Sequence, residues 1–234
     1  MVGVFALAAF LAAAPAAVRT DTPFDAVQAW YDLLGRGAGA GAMRAGGGTI
    51  GAGEAPFARA YELLSSARRA SESRARFVAS FDDVAHVDLL QAVEQSGTVT
   101  RAQVFVEERR YALRGGVQTL AWYAGTIVLV HETAGWRIGA VQLAPENIFN
   151  GLFGKHGRAS DPLAVAVTEV RPRICGRDAG CTRRFDESGF SVIVRPGPHG
   201  STSLVRYRGA RGGYDVQLVR LYDGDYRVVR VLKA

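Results

Sequence analysis

The sequence predicts an α+β fold: three N-terminal helices packed in a curved antiparallel four-stranded sheet, followed by a small all-β domain. Three observations predict it. Residues 98–143, TVTRAQVFVEERRYALRGGVQTLAWYAGTIVLVHETAGWRIGAVQL, are dense in β-branched and aromatic residues, which suit a pleated, half-buried surface. They break at Gly115-Gly116 and Ala134-Gly135, the punctuation of antiparallel hairpins. The chain before this stretch repeats apolar residues at helical spacing, whereas residues 161–234 read as strand and turn throughout.

In chain order, Thr22-Pro23-Phe24-Asp25 is a helix start, with Thr22 as N-cap, proline at the first helical position and an acid in the first turn. Phe24, Val27, Tyr31 and Leu34 then form one apolar stripe, widened by Trp30 and ended by Gly35. Residues 35–53, GRGAGAGAMRAGGGTIGAG, are too poor in apolar bulk to offset the entropy of ordering and read as a surface loop. No strand precedes them and no Gly-Lys-Ser follows, which argues against a phosphate cradle. A second helix begins at Pro56, places Phe57, Tyr61 and Leu64 on one face, and ends near Ser65-Ser66; a third runs over residues 74–81. Residues 84–93 are the first strand, turning through Gln95-Ser96-Gly97 into the meander.

In the strand from Leu120 to His131 both alternating sets are mostly apolar, which predicts a central strand covered on both faces. Gly125 in its middle predicts a bulge or sharp bend. The outer face therefore needs a cover. A second subunit and the C-terminal domain are equal candidates.

Residues 1–19 carry no charge before Arg19 and contain Ala14-Pro15-Ala16, which predicts a secretory signal peptide, or else an uncleaved anchor. Cys175 and Cys181 are the only cysteines; in an exported chain they predict a disulfide pinning a hairpin end. Residues 161–234 hold 13 basic and 8 acidic side chains, and 26 of the 28 basic residues are arginine. That excess suits an anionic polymer, with Arg206, Arg208, Arg220 and Arg227 as candidates and nucleic acid disfavoured. An arginine bias of this kind is also what a GC-rich bacterial genome produces.

The segments AVQAWYDLL (26–34), FARAYELLS (57–65), RFVASFDDV (76–84) and TIVLVHETAGWRIGAVQL (126–143) resemble the nuclear-transport-factor-two-like superfamily, most of all its bacterial exported members. The resemblance covers residues 20–150. It implies a cone in which a curved sheet wraps the helices around an apolar cavity, and roles ranging from isomerase and cyclase to dimerisation module. Residues 151–160 then form a linker, with Phe149, Leu152 and Phe153 docking on the cone, and residues 161–234 the β domain.

An isomerase-like cone needs an acid or His base and a group that polarises a carbonyl. His86 with Asp88 is the best pair, on one strand face. Tyr31, Tyr61 and Trp122 are candidate cavity-lining residues. Each has a plainer reading: the tyrosines fall on apolar stripes, His131-Glu132 precedes a turn, and Glu107-Glu108-Arg109-Arg110 reads as a solvated strand end. No nucleophile elbow, zinc spacing or dinucleotide fingerprint occurs, so no metal or cofactor is expected. The resulting expectation is an exported, non-enzymatic structural, interaction or ligand-holding protein of a bacterial cell envelope, with a homodimer through the outer sheet face as one of the two ways to cover it. A small apolar ligand or an isomerase-like activity is the alternative.

Overall fold

The structure, a computed structural model, describes residues 18, 20–37, 55–114, 117–146, 161–197, 200–222 and 224–234. The leader, most of the glycine-rich segment, and the 151–160 linker with Phe149, Leu152 and Phe153 lie outside these.

Helix α1 (Pro23–Gly37) starts as its sequence dictates: Asp25 N–H donates to Thr22 Oγ1 and Thr22 N–H to Asp25 Oδ2, each at 3.1 Å, a reciprocal cap. It runs past Gly35 to Gly37, where a Cβ would lie 2.8 Å from the Phe57 ring. The expected second helix is two. Helix α2 (Ala55–Glu62) ends early, and Ser65 caps a separate α3 (Ser66–Ser71) by accepting from Arg68 N–H. Helix α4 (Arg74–Ala79) stops short of Phe81.

Strands β1 (Val84–Gly97), β2 (Arg101–Arg114), β3 (Val117–Glu132) and β4 (Gly135–Pro145) form one antiparallel sheet in chain order. The first turn lies at 98–100, one step beyond the expected glycine, because Thr98 Oγ1 accepts from Thr100 and Arg101 N–H and closes it. Gly125 stands in regular pairing; the register shifts fall instead at Val128/Leu129 and at three places in β1. Its role is close approach, since a Cβ there would meet Gln142 O at 1.9 Å. The helices bury Val27, Trp30, Tyr31, Leu34, Phe57 and Phe77 against Val104, Val106, Ile127, Leu129 and Ile138 on one sheet face.

The C-terminal part is not all β. Residues 162–170, read as a strand from their valines, belong to helix α5 (Pro162–Cys175), capped by Asp161, whose carboxylate accepts from Leu163 N–H. The Cys175–Cys181 disulfide ties the end of α5 to a one-turn helix α6 (Ala179–Arg183) and not to a hairpin. Strands β5 (Phe190–Gly197), β6 (Gly200–Gly209), β7 (Gly212–Arg220) and β8 (Tyr226–Lys233) form a second sheet, again antiparallel in chain order. Ala166 and Val170 of α5 pack on Val205, Tyr207, Val216 and Leu218 of one of its faces.

The other face of the second sheet lies on the first. Val219, Leu221 and Val229 pack with Phe105, Ala124 and Val93, so the layers run helices, sheet, sheet, helix. The outer face of the first sheet is covered in cis across its middle.

Candidate functional site

The run expected to be a solvated strand end contains two of the most buried charges among the described residues. Glu107 is 2% exposed and Glu108 0%. In a strand successive side chains point to opposite faces, so these two glutamates serve opposite sides of the sheet. The sequence does carry a signal for this. Glu107 shares its face with Arg109 and Glu108 with Arg110, so opposite charges recur at period two inside an apolar strand.

On the helix side, Tyr31 Oη donates to Glu108 Oε2 at 2.5 Å and Arg110 Nε donates to Glu108 Oε1. The Arg110 guanidinium also stands 4.9 Å from the Tyr123 ring centroid. Burial, and then the neighbouring Glu108 charge, raise the Tyr31 phenol well above its ordinary value. Tyr61 is buried in the same core, where its hydroxyl donates to the carbonyls of Glu72 (2.7 Å) and Arg69 (3.2 Å).

On the far side, Gln91 Nε2 donates to Glu107 and to Arg220 O (2.8 Å), and Tyr222 N–H donates to Glu107 Oε1 at 2.6 Å. Trp122 stacks on Tyr222 at 5.3 Å. It therefore stands on the opposite sheet face from Tyr31 and Tyr61, so these three residues do not line one cavity. Gln91, Glu107 and Tyr222 were not among the candidates read from the sequence.

His86 and Asp88 share one face of β1, opposite Tyr111 and Arg109 of β2. His86 Nε2 and Asp88 Oδ1 are 2.5 Å apart, and Arg109 donates to Asp88 Oδ2 from Nε (3.1 Å) and Nη2 (2.6 Å). Burial alone would raise the Asp88 carboxyl, but the hydrogen bonds from Arg109 and His86 outweigh it and hold it below its usual value. A groove of about 370 Å³ between α1 and β1 passes His86, Asp88, Asp32 and Arg36. Tyr31 lines the same groove, and a Cβ on Gly35 of α1 would lie 3.9 Å from the His86 ring, so the pair stands at the sheet edge beside α1.

The basic candidates do not converge. Arg206 and Arg208 both lie against Asp215, at 3.4 and 2.8 Å. Arg227 lies over the Phe105 ring at 6.0 Å, at the junction between sheets, while alternation puts Arg220 on the face opposite Val219. Among the described residues no group of three potential metal ligands occurs, and no helix is long and apolar enough to cross a membrane.

No protein-family model matches the chain, and no curated protein matches it. Among solved structures it is similar to a chain described as an "Ntf2 like protein involved in plasmid conjugation", at 10% identity, covering 76% of this chain and 86% of that chain, with a TM-score of 0.25.

Proposed function

We propose that the chain is an exported, non-enzymatic protein of a bacterial cell envelope. In this reading residues 20–146 are a cone-type domain of the nuclear-transport-factor-two-like kind, serving as a structural and interaction module. Its own second sheet takes the place that a partner subunit holds in dimeric members.

The observation that carries this reading is that the tyrosine hydroxyls and the charged groups on the helix side of the first sheet are bonded within the chain. Tyr31, Glu108 and Arg110 satisfy one another, and the Tyr61 hydroxyl is spent on two backbone carbonyls. A site that polarises a carbonyl needs such donors facing a substrate; these face each other. The disulfide in the C-terminal unit supports export, because such bonds persist in oxidising compartments.

Two measurements test the reading. Titration of the purified chain with the apolar fluorophore N-phenyl-1-naphthylamine should show no saturable uptake; one-to-one binding abolished by Leu34→Trp would favour a ligand-holding cavity and end the scaffold reading. Fusion of residues 1–30 to a phosphatase that is active only outside the cytoplasm should give activity, and its absence would end the export reading.

A further inference from the structure

The C-terminal unit holds a pocket of about 210 Å³ that the preceding reading does not use, between the α5–α6 corner and the β6–β7 turn. Its floor is apolar: Ile174 of α5, the Cys181 half of the disulfide, and Phe185 stacked on Tyr207 at 5.3 Å. Two arginines line its wall, Arg184 at the C-cap of α6 and Arg211 in the β6–β7 turn. Among the described residues neither has a carboxylate within ion-pairing distance, in contrast to Arg206 and Arg208, which share Asp215.

The third polar group is the Tyr207 hydroxyl. Tyr207 is 5% exposed, yet its hydroxyl has no hydrogen-bond partner among the described residues. It reaches the β6–β7 turn, where a Cβ on Gly209 would lie 2.3 Å from it, and both residues line the pocket. The hydroxyl oxygen itself is open to solvent, so a ligand in the pocket can reach it and use its donor. The one acid on the wall, Asp186, is committed locally: its carboxylate accepts from Ser188 N–H at 2.9 Å. Two cations against one anion leave the wall a single positive charge.

We infer that this pocket binds a small organic monoanion, a carboxylate on a compact apolar body, with Arg184 and Arg211 on the carboxylate, the Tyr207 hydroxyl donating to it, and the body on Phe185, Tyr207 and Ile174. The guanidinium fork matches a carboxylate in two parallel hydrogen bonds. At about 210 Å³ the pocket is smaller than the usual small-molecule site and admits a ligand of about ten heavy atoms. The disulfide fixes α6 on α5 and with it the position of Arg184, so the pocket is complete only in the oxidised chain.

Benzoate is the probe, measured by isothermal titration on the full oxidised chain at low and physiological salt, with benzamide and inorganic phosphate as comparators. Saturable benzoate binding is expected, with benzamide weaker by about tenfold or more, because the neutral amide forfeits the charge-assisted bonds. Arg184→Ala and Arg211→Ala should each weaken benzoate about tenfold, while Arg227→Ala leaves it unchanged. Both arginines are exposed, so neither variant endangers folding. Tyr207→Phe should weaken benzoate severalfold and keep the fold. Equal binding of benzamide, binding indifferent to both arginine variants, phosphate binding as tightly as benzoate, or no saturable heat with benzoate would each overturn the assignment.

Discussion

Glu107 and Glu108 are neighbours in β2 and face opposite ways through the first sheet, Glu107 to the backbone N–H of Tyr222 and Glu108 to the hydroxyl of Tyr31. One sequence step thus fixes the sheet to both of its covers, and the two contacts can be broken separately.

Glu107→Ala removes the acceptor for Gln91 Nε2 and for Tyr222 N–H at a buried junction. The expected loss is about 3 kcal/mol in urea unfolding, because buried donors are left unsatisfied. Trp122 emission should move to the red as its stack on Tyr222 loosens. Glu107→Gln, which keeps one acceptor oxygen, should recover part of the loss. An alanine variant as stable as the parent would remove the latch from the account.

Tyr31→Phe should cost about 2 kcal/mol, the worth of a hydrogen bond to a charged group. The pH dependence separates this contact from simple packing. Burial and Glu108 raise the folded-state phenol above its unfolded value near 10, so the stabilisation is whole below about pH 10 and is lost as pH rises beyond it. The parent should therefore lose stability more steeply than Tyr31→Phe above pH 10. Absorbance at 295 nm should show a tyrosine that ionises only on unfolding.

The Asp88 carboxyl has the opposite sign. Arg109 and His86 hold it below its unfolded value, so its contribution is present above about pH 4 and disappears as pH falls through the lower folded value. Asp88→Asn should flatten the acid limb of the stability profile below pH 4 and leave the alkaline limb unchanged. An unaltered acid limb would show that Arg109 and His86 hold Asp88 no better than water does.

Reduction of Cys175–Cys181, or Cys175→Ser with Cys181→Ser, should cost about 2 kcal/mol in denaturant unfolding, the chain-entropy value for so short a loop. Protease cleavage should then appear first near α6, the element that the bond holds.

The first meander was legible because long runs of valine, isoleucine and aromatics between glycine turns have few competing readings, and α1 because its Thr22-Pro23-Asp25 cap is local chemistry. The same chemistry was present at Asp161-Pro162 and lost to the valines that follow. Leu163, Ala166, Val167 and Val170 fall at spacings of three, one and three, a helical stripe in residues of strand preference. Glu107 and Glu108 misled in another way: four consecutive charges look like a wet surface, and only the recurrence of opposite charges at period two inside an apolar strand betrays two buried faces. His86 with Asp88 was readable as a same-face pair from alternation alone. Which side of the sheet that face serves depends on where the helices lie, a tertiary fact with no local signal.

The back-to-back sheets release this chain from a symmetry constraint. Two identical subunits meeting about a two-fold axis must offer each other the same surface, so a buried acid near that axis confronts its own copy. Here the cover is a different sequence, and Glu107 meets an amide instead. Each sheet is free to change so long as its unlike neighbour changes with it, which is how one surface can come to keep a buried carboxylate and the other the backbone donor that receives it.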